Sequence, residues 1–177
     1  LDQTASDRDT TALRAAILAD LPALLADFAT MRAAEGAALA AILTGQLDRI
    51  TSLTADAARE TALCNATQAE TLREGLARVL AATESVDEAR LAQELALLAV
   101  KTDVTEELDR LAAHIDAARA LVADAAPSGR KLDFLMQEFM REANTLCSKA
   151  QSLALTRIGL DLKTVIDQMR EQVQNVE

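Results

Sequence analysis

The stretch DVTEELDRLAAHIDAARALV, residues 103–122, contains Val104, Leu108, Leu111, Ile115, Ala118 and Val122 at spacings of 4-3-4-3-4. That is the repeat of one apolar stripe on an α-helix rather than the alternation of a strand. Asp103 or Thr105 stands where a helix cap is expected. The pattern ends at Ala126-Pro127-Ser128-Gly129, a combination that breaks helices and marks a linker. Beyond it, Leu132, Leu135, Phe139, Ala143 and Leu146 predict a further helix to about Lys149. Leu155, Ile158, Leu162, Val165, Met169, Val173 and Val176 then predict a last one.

Toward the N-terminus the same vocabulary continues. Leu91, Leu95, Leu98 and Ala99 predict a short helix ending near Lys101, with Thr83-Glu84-Ser85 as its cap. Leu39, Leu43, Gln46, Ile50, Leu53 and Ala57 form the seam of a long amphipathic arm. Pro22 predicts a break or bend near residue 21, and a turn between Thr61 and Thr67 would fold the arm back as a hairpin. Asp9 or Thr10 is placed to cap the first helix.

Composition agrees with the periodicity. Half of the 177 residues are hydrophobic, with Ala and Leu dominant, against 5 Gly, 2 Pro, 3 Phe and no Trp or Tyr. Strong helix formers almost without turn or sheet residues exclude sandwiches, barrels and Rossmann-type folds. The expectation is an all-α fold: a long helical hairpin or coiled-coil arm over residues 1–86, followed by a helical bundle over residues 87–177. The long seams are those of coiled-coil or bundle packing, within one chain or between copies.

The net charge of −10 lies wholly in residues 1–128, because acidic and basic side chains balance in residues 129–177. A surface this acidic does not bind phosphate backbones nonspecifically, so any nucleic-acid site is local. Arg130, Lys131, Arg141 and Lys149 are the local basic cluster, placed either to receive phosphates or to balance neighbouring carboxylates. Cys64 and Cys147 lack CxxC spacing and read as two small buried thiols in a reducing compartment rather than a disulfide. No apolar run spans a bilayer and no signal-peptide pattern is present. The motifs GxSxG, GxxxxGK[ST], GxGxxG, HExxH and paired CxxC are all missing, which leaves serine-hydrolase, P-loop, dinucleotide and zinc readings without support.

Two polar stripes remain. Asp103, Glu107, Arg110 and His114 share one face beside the apolar seam of the 103–122 helix. In GRKLDFLMQEFMREANTLCSK, residues 129–149, Glu138, Glu142, Thr145 and Lys149 share another, with Asp133, Gln137, Arg141, Asn144 and Ser148 on the next. Carboxylates one turn apart can hold a divalent cation, with an imidazole from another helix completing its shell, and oxygen-rich ligands favour magnesium or manganese. The same spacings also suit surface salt-bridge ladders, in which Asp103, Glu107 and Arg110 pair across single turns.

The ordered series EARLAQELALLAVKTDVTEELDRLAAHI (88–115), GRKLDFLMQEFMREANTLCSK (129–149) and REQVQNVE (170–177) closely resembles the C-terminal region of the bacterial YicC/YloC endoribonucleases. AEGAALAAIL (34–43) resembles their helical middle. The resemblance implies a cytoplasmic, divalent-metal-dependent endoribonuclease (manganese or magnesium) that acts on single-stranded or small regulatory RNA and assembles as a ring-like hexamer. It also implies a preceding N-terminal domain of about a hundred residues. On the matching positions it implies Glu107, His114, Glu138 and Glu142 as metal ligands, and His114, Glu138, Arg141 and Glu142 as catalytic groups. Arg130, Lys131, Asn144 and Lys149 would then contact RNA. Where the family has Asn before the Arg-Glu pair, this chain has Met140, whose thioether is a poor ligand for a hard cation. The competing reading is a non-catalytic helical module for oligomerisation or interaction, with its polar stripes exposed as ladders.

Overall fold

The computed structural model describes residues 10–82 and 88–176. They form five helices and, among the described residues, no strand: α1 (Thr11–Ala82), α2 (Glu88–Thr102), α3 (Thr105–Ala123), α4 (Gly129–Lys149) and α5 (Leu153–Val173). The all-α expectation holds. Asp9 and the suggested cap Thr83-Glu84-Ser85 lie outside the described residues.

Two expectations for the arm are corrected. The helix passes through Pro22 without a break and continues through residues 61–67 without a turn, so no hairpin forms. Pro22 removes one backbone donor, but it stands among exposed residues, where water can satisfy the carbonyl left free. The threonines along this stretch instead bond back into the helix. Thr61 Oγ1 donates to the Ala57 carbonyl at 2.8 Å, Thr67 to Leu63 at 3.1 Å and Thr71 to Thr67 at 3.0 Å. Each hydroxyl is thereby paired one turn back, and no glycine or proline interrupts the backbone between Gly45 and Gly75.

Contacts divide the chain into two compact units, one ending at Leu39 and one beginning at Ala40. In the first, Leu13, Ile17, Leu18, Leu24, Leu25, Phe28 and Met31 are all at least half exposed. Arg32 places its guanidinium 5.8 Å from the Phe28 ring centroid.

The second unit holds the core. Its buried residues are Leu43, Leu47, Ile50, Leu53 and Ala57 of α1, with Leu111, Ile115 and Ala118 of α3. Leu132, Met136, Phe139, Ala143 and Leu146 of α4, and Leu155, Leu162, Ile166, Met169 and Val173 of α5, complete it. Arg119 of α3 ties to α1 through Asp48 at 2.7 Å and Thr51 at 3.2 Å. Ser152 caps α5 by accepting from Leu155 N, and its hydroxyl donates to Glu60 of α1 at 2.9 Å. Helices α4 and α5 approach closely at Gly159, where a Cβ would collide with Cys147 Sγ. Among the described residues, no helix is long and apolar enough to cross a membrane.

Candidate metal centre

The α3 seam turns out slightly broader than its apolar stripe. Val104, Leu111, Ile115 and Ala118 are buried as expected, yet Glu107 is buried more fully than its neighbour Leu108. A carboxylate at such a position requires a partner. Lys149, in the last turn of α4, supplies it: its Nζ lies 2.9 Å from Glu107 Oε1 and donates a second hydrogen bond of 2.9 Å to the Asp103 carbonyl. Glu107 Oε2 has no hydrogen-bond partner.

Because α3 and α4 run in opposite directions, moving forward on one means moving back on the other. After the Glu107–Lys149 pair comes Arg110 beside Glu142, with Nη1 3.6 Å from Oε1. Next come His114, Glu138 and Glu142, each of which offers one ligand atom within 4.8 Å of the others. Two turns of α3 and three of α4 thus build a polar ladder along one edge of the helix pair. The single-turn ladder on α3 is corrected accordingly: Arg110 pairs with Glu106 and Glu142, while Glu107 reaches across to Lys149.

Burial at this convergence is uneven, and this affects what the groups can do. Only 4% of the Glu142 side chain is exposed, against 26% for Glu138. His114 packs edge-on against Phe139, with ring centroids 5.7 Å apart and an interplanar angle of 71°. That contact holds the imidazole toward the carboxylates, and its buried Nε2 has no hydrogen-bond partner. An orphaned buried nitrogen beside two carboxylates is the donor set of a divalent-cation site, one nitrogen and two hard oxygens. All three ligand atoms lie within 4.8 Å of one another, against about 4 Å between opposite ligands of one small cation, so small side-chain movements would bring them onto a common ion. These three residues therefore fit a bound divalent ion.

The other residues named from the sequence fall around this centre. Arg141 is exposed and reaches Glu138 at 3.8 Å. Asn144 is exposed one turn further along α4. Arg130 and Lys131 are exposed two turns before Glu138, beside a shallow apolar hollow containing Phe134 and Leu135. Glu107 is not grouped with His114, Glu138 and Glu142; it stands two turns from the imidazole, held by Lys149. Met140 is half-buried on α4. Arg110 reads from the sequence as a member of the α3 polar stripe but not as a site residue. Its 3-4 spacing from Glu107 and His114 put it on the right face, but only the crossing of α4 sets it against Glu142.

Among the described residues, two titrations carry a resolved perturbation. Asp103 is lowered from the usual carboxylate range, chiefly by hydrogen bonding to Thr105, whose backbone N–H donates to Oδ1 at 2.9 Å, and to a lesser degree by the Lys149 charge. Burial pushes the Cys147 thiol up, and Lys163 opposes this only weakly. Both cysteines are free, as expected, but each is half-buried rather than buried.

Helix packing and donor set together define a helical protein with a carboxylate–imidazole centre at a helix–helix seam. Residues 57–177 match the family described as endoribonuclease YicC-like, C-terminal, and the chain belongs to that family. The chain is 39% identical over 173 residues to a protein named probable endoribonuclease YicC in Haemophilus influenzae, a match covering 98% of this chain and 59% of the relative. It is 41% identical over 92 residues to a protein of the same name in Clostridioides difficile, covering 52% of this chain and 31% of that relative. The chain thus spans about 59% of the length of its Haemophilus relative.

Proposed function

We propose that this chain is the helical part of a divalent-metal-dependent endoribonuclease, acting in the cytoplasm on single-stranded or small regulatory RNA. The observation that supports this most is the convergence of His114, Glu138 and Glu142 from two helices, with a buried imidazole nitrogen lacking any partner. The names of the relatives supply the reaction class. In this reading Glu138, Glu142 and His114 hold manganese or magnesium. The bound ion would polarise the scissile phosphate or lower the pKa of a bound water. Phe139 fixes the imidazole plane, and the seam around Glu142 excludes water so that its charge acts at full strength. Arg141, exposed beside Glu138, is the group for a phosphate oxygen. Asn144, Arg130 and Lys131 extend a path along α4 for the RNA backbone. Lys149 has two of its three donors committed and contributes one at most. Glu107 supports the centre indirectly, through its hold on Lys149. The functional assembly is an oligomer, a hexamer by family resemblance.

The test is cleavage of a labelled single-stranded RNA by this chain with manganese or magnesium, beside EDTA and a Glu138→Gln/Glu142→Gln double variant. Metal-dependent cutting that disappears in the double variant supports the reading. Cutting that persists in EDTA, or in the double variant, overturns it. A second reading, a non-catalytic oligomerisation module, draws on the exposed apolar side chains from Leu13 to Met31. It is favoured if the chain assembles but never cuts, even when extended at its N-terminus.

A further inference from the structure

The candidate centre already has a cation of its own. Arg110 lies between two carboxylates, with Nη2 on Glu106 one turn back on α3 and Nη1 3.6 Å from Glu142 on α4. Its two partners differ sharply in surroundings: the Glu106 side chain is 67% exposed and the Glu142 side chain 4%. One fork of the guanidinium therefore serves a carboxylate in water, and the other serves a carboxylate in the interior.

A buried carboxylate needs a counter-charge. Arginine cannot lose its proton, so a dication brought onto Glu142 meets its full charge, and withdrawal of the guanidinium relieves that repulsion. Glu106 provides the alternative partner without any change in α3, since residues four apart are neighbours on a helix. Arg141 beside Glu138 is not equivalent: it is 71% exposed and its 3.8 Å contact is loose, so it gives way to solvent without needing a second site.

We propose that Arg110 is an exchangeable counter-cation. It neutralises Glu142 while the centre is free and transfers wholly to Glu106 when a divalent ion enters, so that Arg110 and Glu106 together set the affinity of the centre. This rests on the reading of His114, Glu138 and Glu142 as a cation site.

The test is a manganese titration of the whole chain, with free Mn²⁺ read by electron paramagnetic resonance, which reports binding and not activity. Arg110→Gln removes the competitor and is expected to bind Mn²⁺ about three- to fivefold more tightly than the wild type. Glu106→Gln removes the alternative partner and is expected to weaken binding by a similar factor. Charge alone would give the same two signs, so the double variant Arg110→Gln/Glu106→Gln decides: under exchange, Glu106→Gln has no further effect once Arg110 is gone, whereas independent charge effects add and overturn the exchange. Should Arg110→Gln fail to fold, Glu106→Asp decides, since it keeps the charge but shortens the reach to Arg110: weaker binding supports the exchange and unchanged binding overturns it. If the wild type binds Mn²⁺ but both variants match it, or both weaken it, the exchange is wrong and the centre stands. If the wild type binds no more Mn²⁺ than Glu138→Gln/Glu142→Gln does, the centre itself is wrong and the exchange falls with it.

Discussion

Lys149 illustrates how a residue's partner can override the role suggested by its charge. It stands in the last turn of α4, where a cation suits the helix dipole, and its stem reaches back to the start of α3. There it meets Glu107, whose side chain is only 4% exposed. Replacing it by Met would leave that carboxylate buried without a counter-ion, a change that costs about 3–5 kcal/mol when a buried pair is broken from one side. Lys149 itself remains 27% exposed, which places the expected loss toward the lower end. Urea unfolding of Lys149→Met should show it, and Glu107→Gln in the same chain should restore most of the midpoint. If stability is unchanged while RNA affinity drops, Lys149 is free to contact RNA and its structural role is smaller than the geometry indicates. The sequence already placed Glu107, His114, Glu138, Glu142 and Lys149 on two faces. What it could not supply was the alignment of α3 against α4, and that alignment separates Glu107 from the other candidate ligands.

At the scale of elements, helical periodicity marked the buried faces of α4 and α5 to within one residue, but not that of α2, where the expected seam residue Leu98 is 54% exposed. Leu135 was expected inside, but Met136 is the more buried; Val165 likewise gives way to Ile166. In both cases adjacent positions are apolar, and a stripe of either residue satisfies the repeat, so the direction of the neighbouring helix makes the choice. The absent hairpin has a different cause. Threonine and glycine signal turns only when their local hydrogen bonds compete with the helix, and along α1 the threonine hydroxyls bond back into it. Gly159 is a position where a small residue is required: it is buried in α5, with Cys147 Sγ in the space a Cβ would fill and Leu146 Cδ2 3.3 Å from it. Gly159→Ala should therefore destabilise the α4–α5 pair by about 1–3 kcal/mol through overpacking, despite the better helix propensity of alanine. Gly45→Ala, where an added Cβ meets nothing within 4 Å, should be neutral or slightly stabilising in the same thermal melt. Equal shifts for the two variants would mean that helix propensity, and not the close approach, governs Gly159.

At the scale of the molecule, the unit ending at Leu39 presents what a single helix cannot satisfy. Ile17, Leu21, Leu24, Phe28 and Met31 follow one another at 4-3-4-3 spacing, and each is at least 40% exposed. Apolar side chains at this repeat are the seam of a helix that packs against another. A contiguous run of them left in water is uncommon on a protein that stays monomeric. The long seams of the sequence suit packing within one chain or between copies, and the sequence could not tell which of them are filled within the chain. The structure separates them: Leu43, Leu47, Ile50 and Leu53 are covered, whereas the stripe from Ile17 to Met31 is not. If that stripe joins copies of the chain, Leu24→Asp/Phe28→Asp should lower the mass measured by light scattering to that of a smaller species. The urea midpoint of the unit from Ala40 onward should be unchanged, because neither residue belongs to its core. A mass unaltered by the double substitution would assign the assembly contact to another face. A fall in both mass and midpoint would mean that assembly and folding are coupled, in which case the stability of the centre depends on protein concentration.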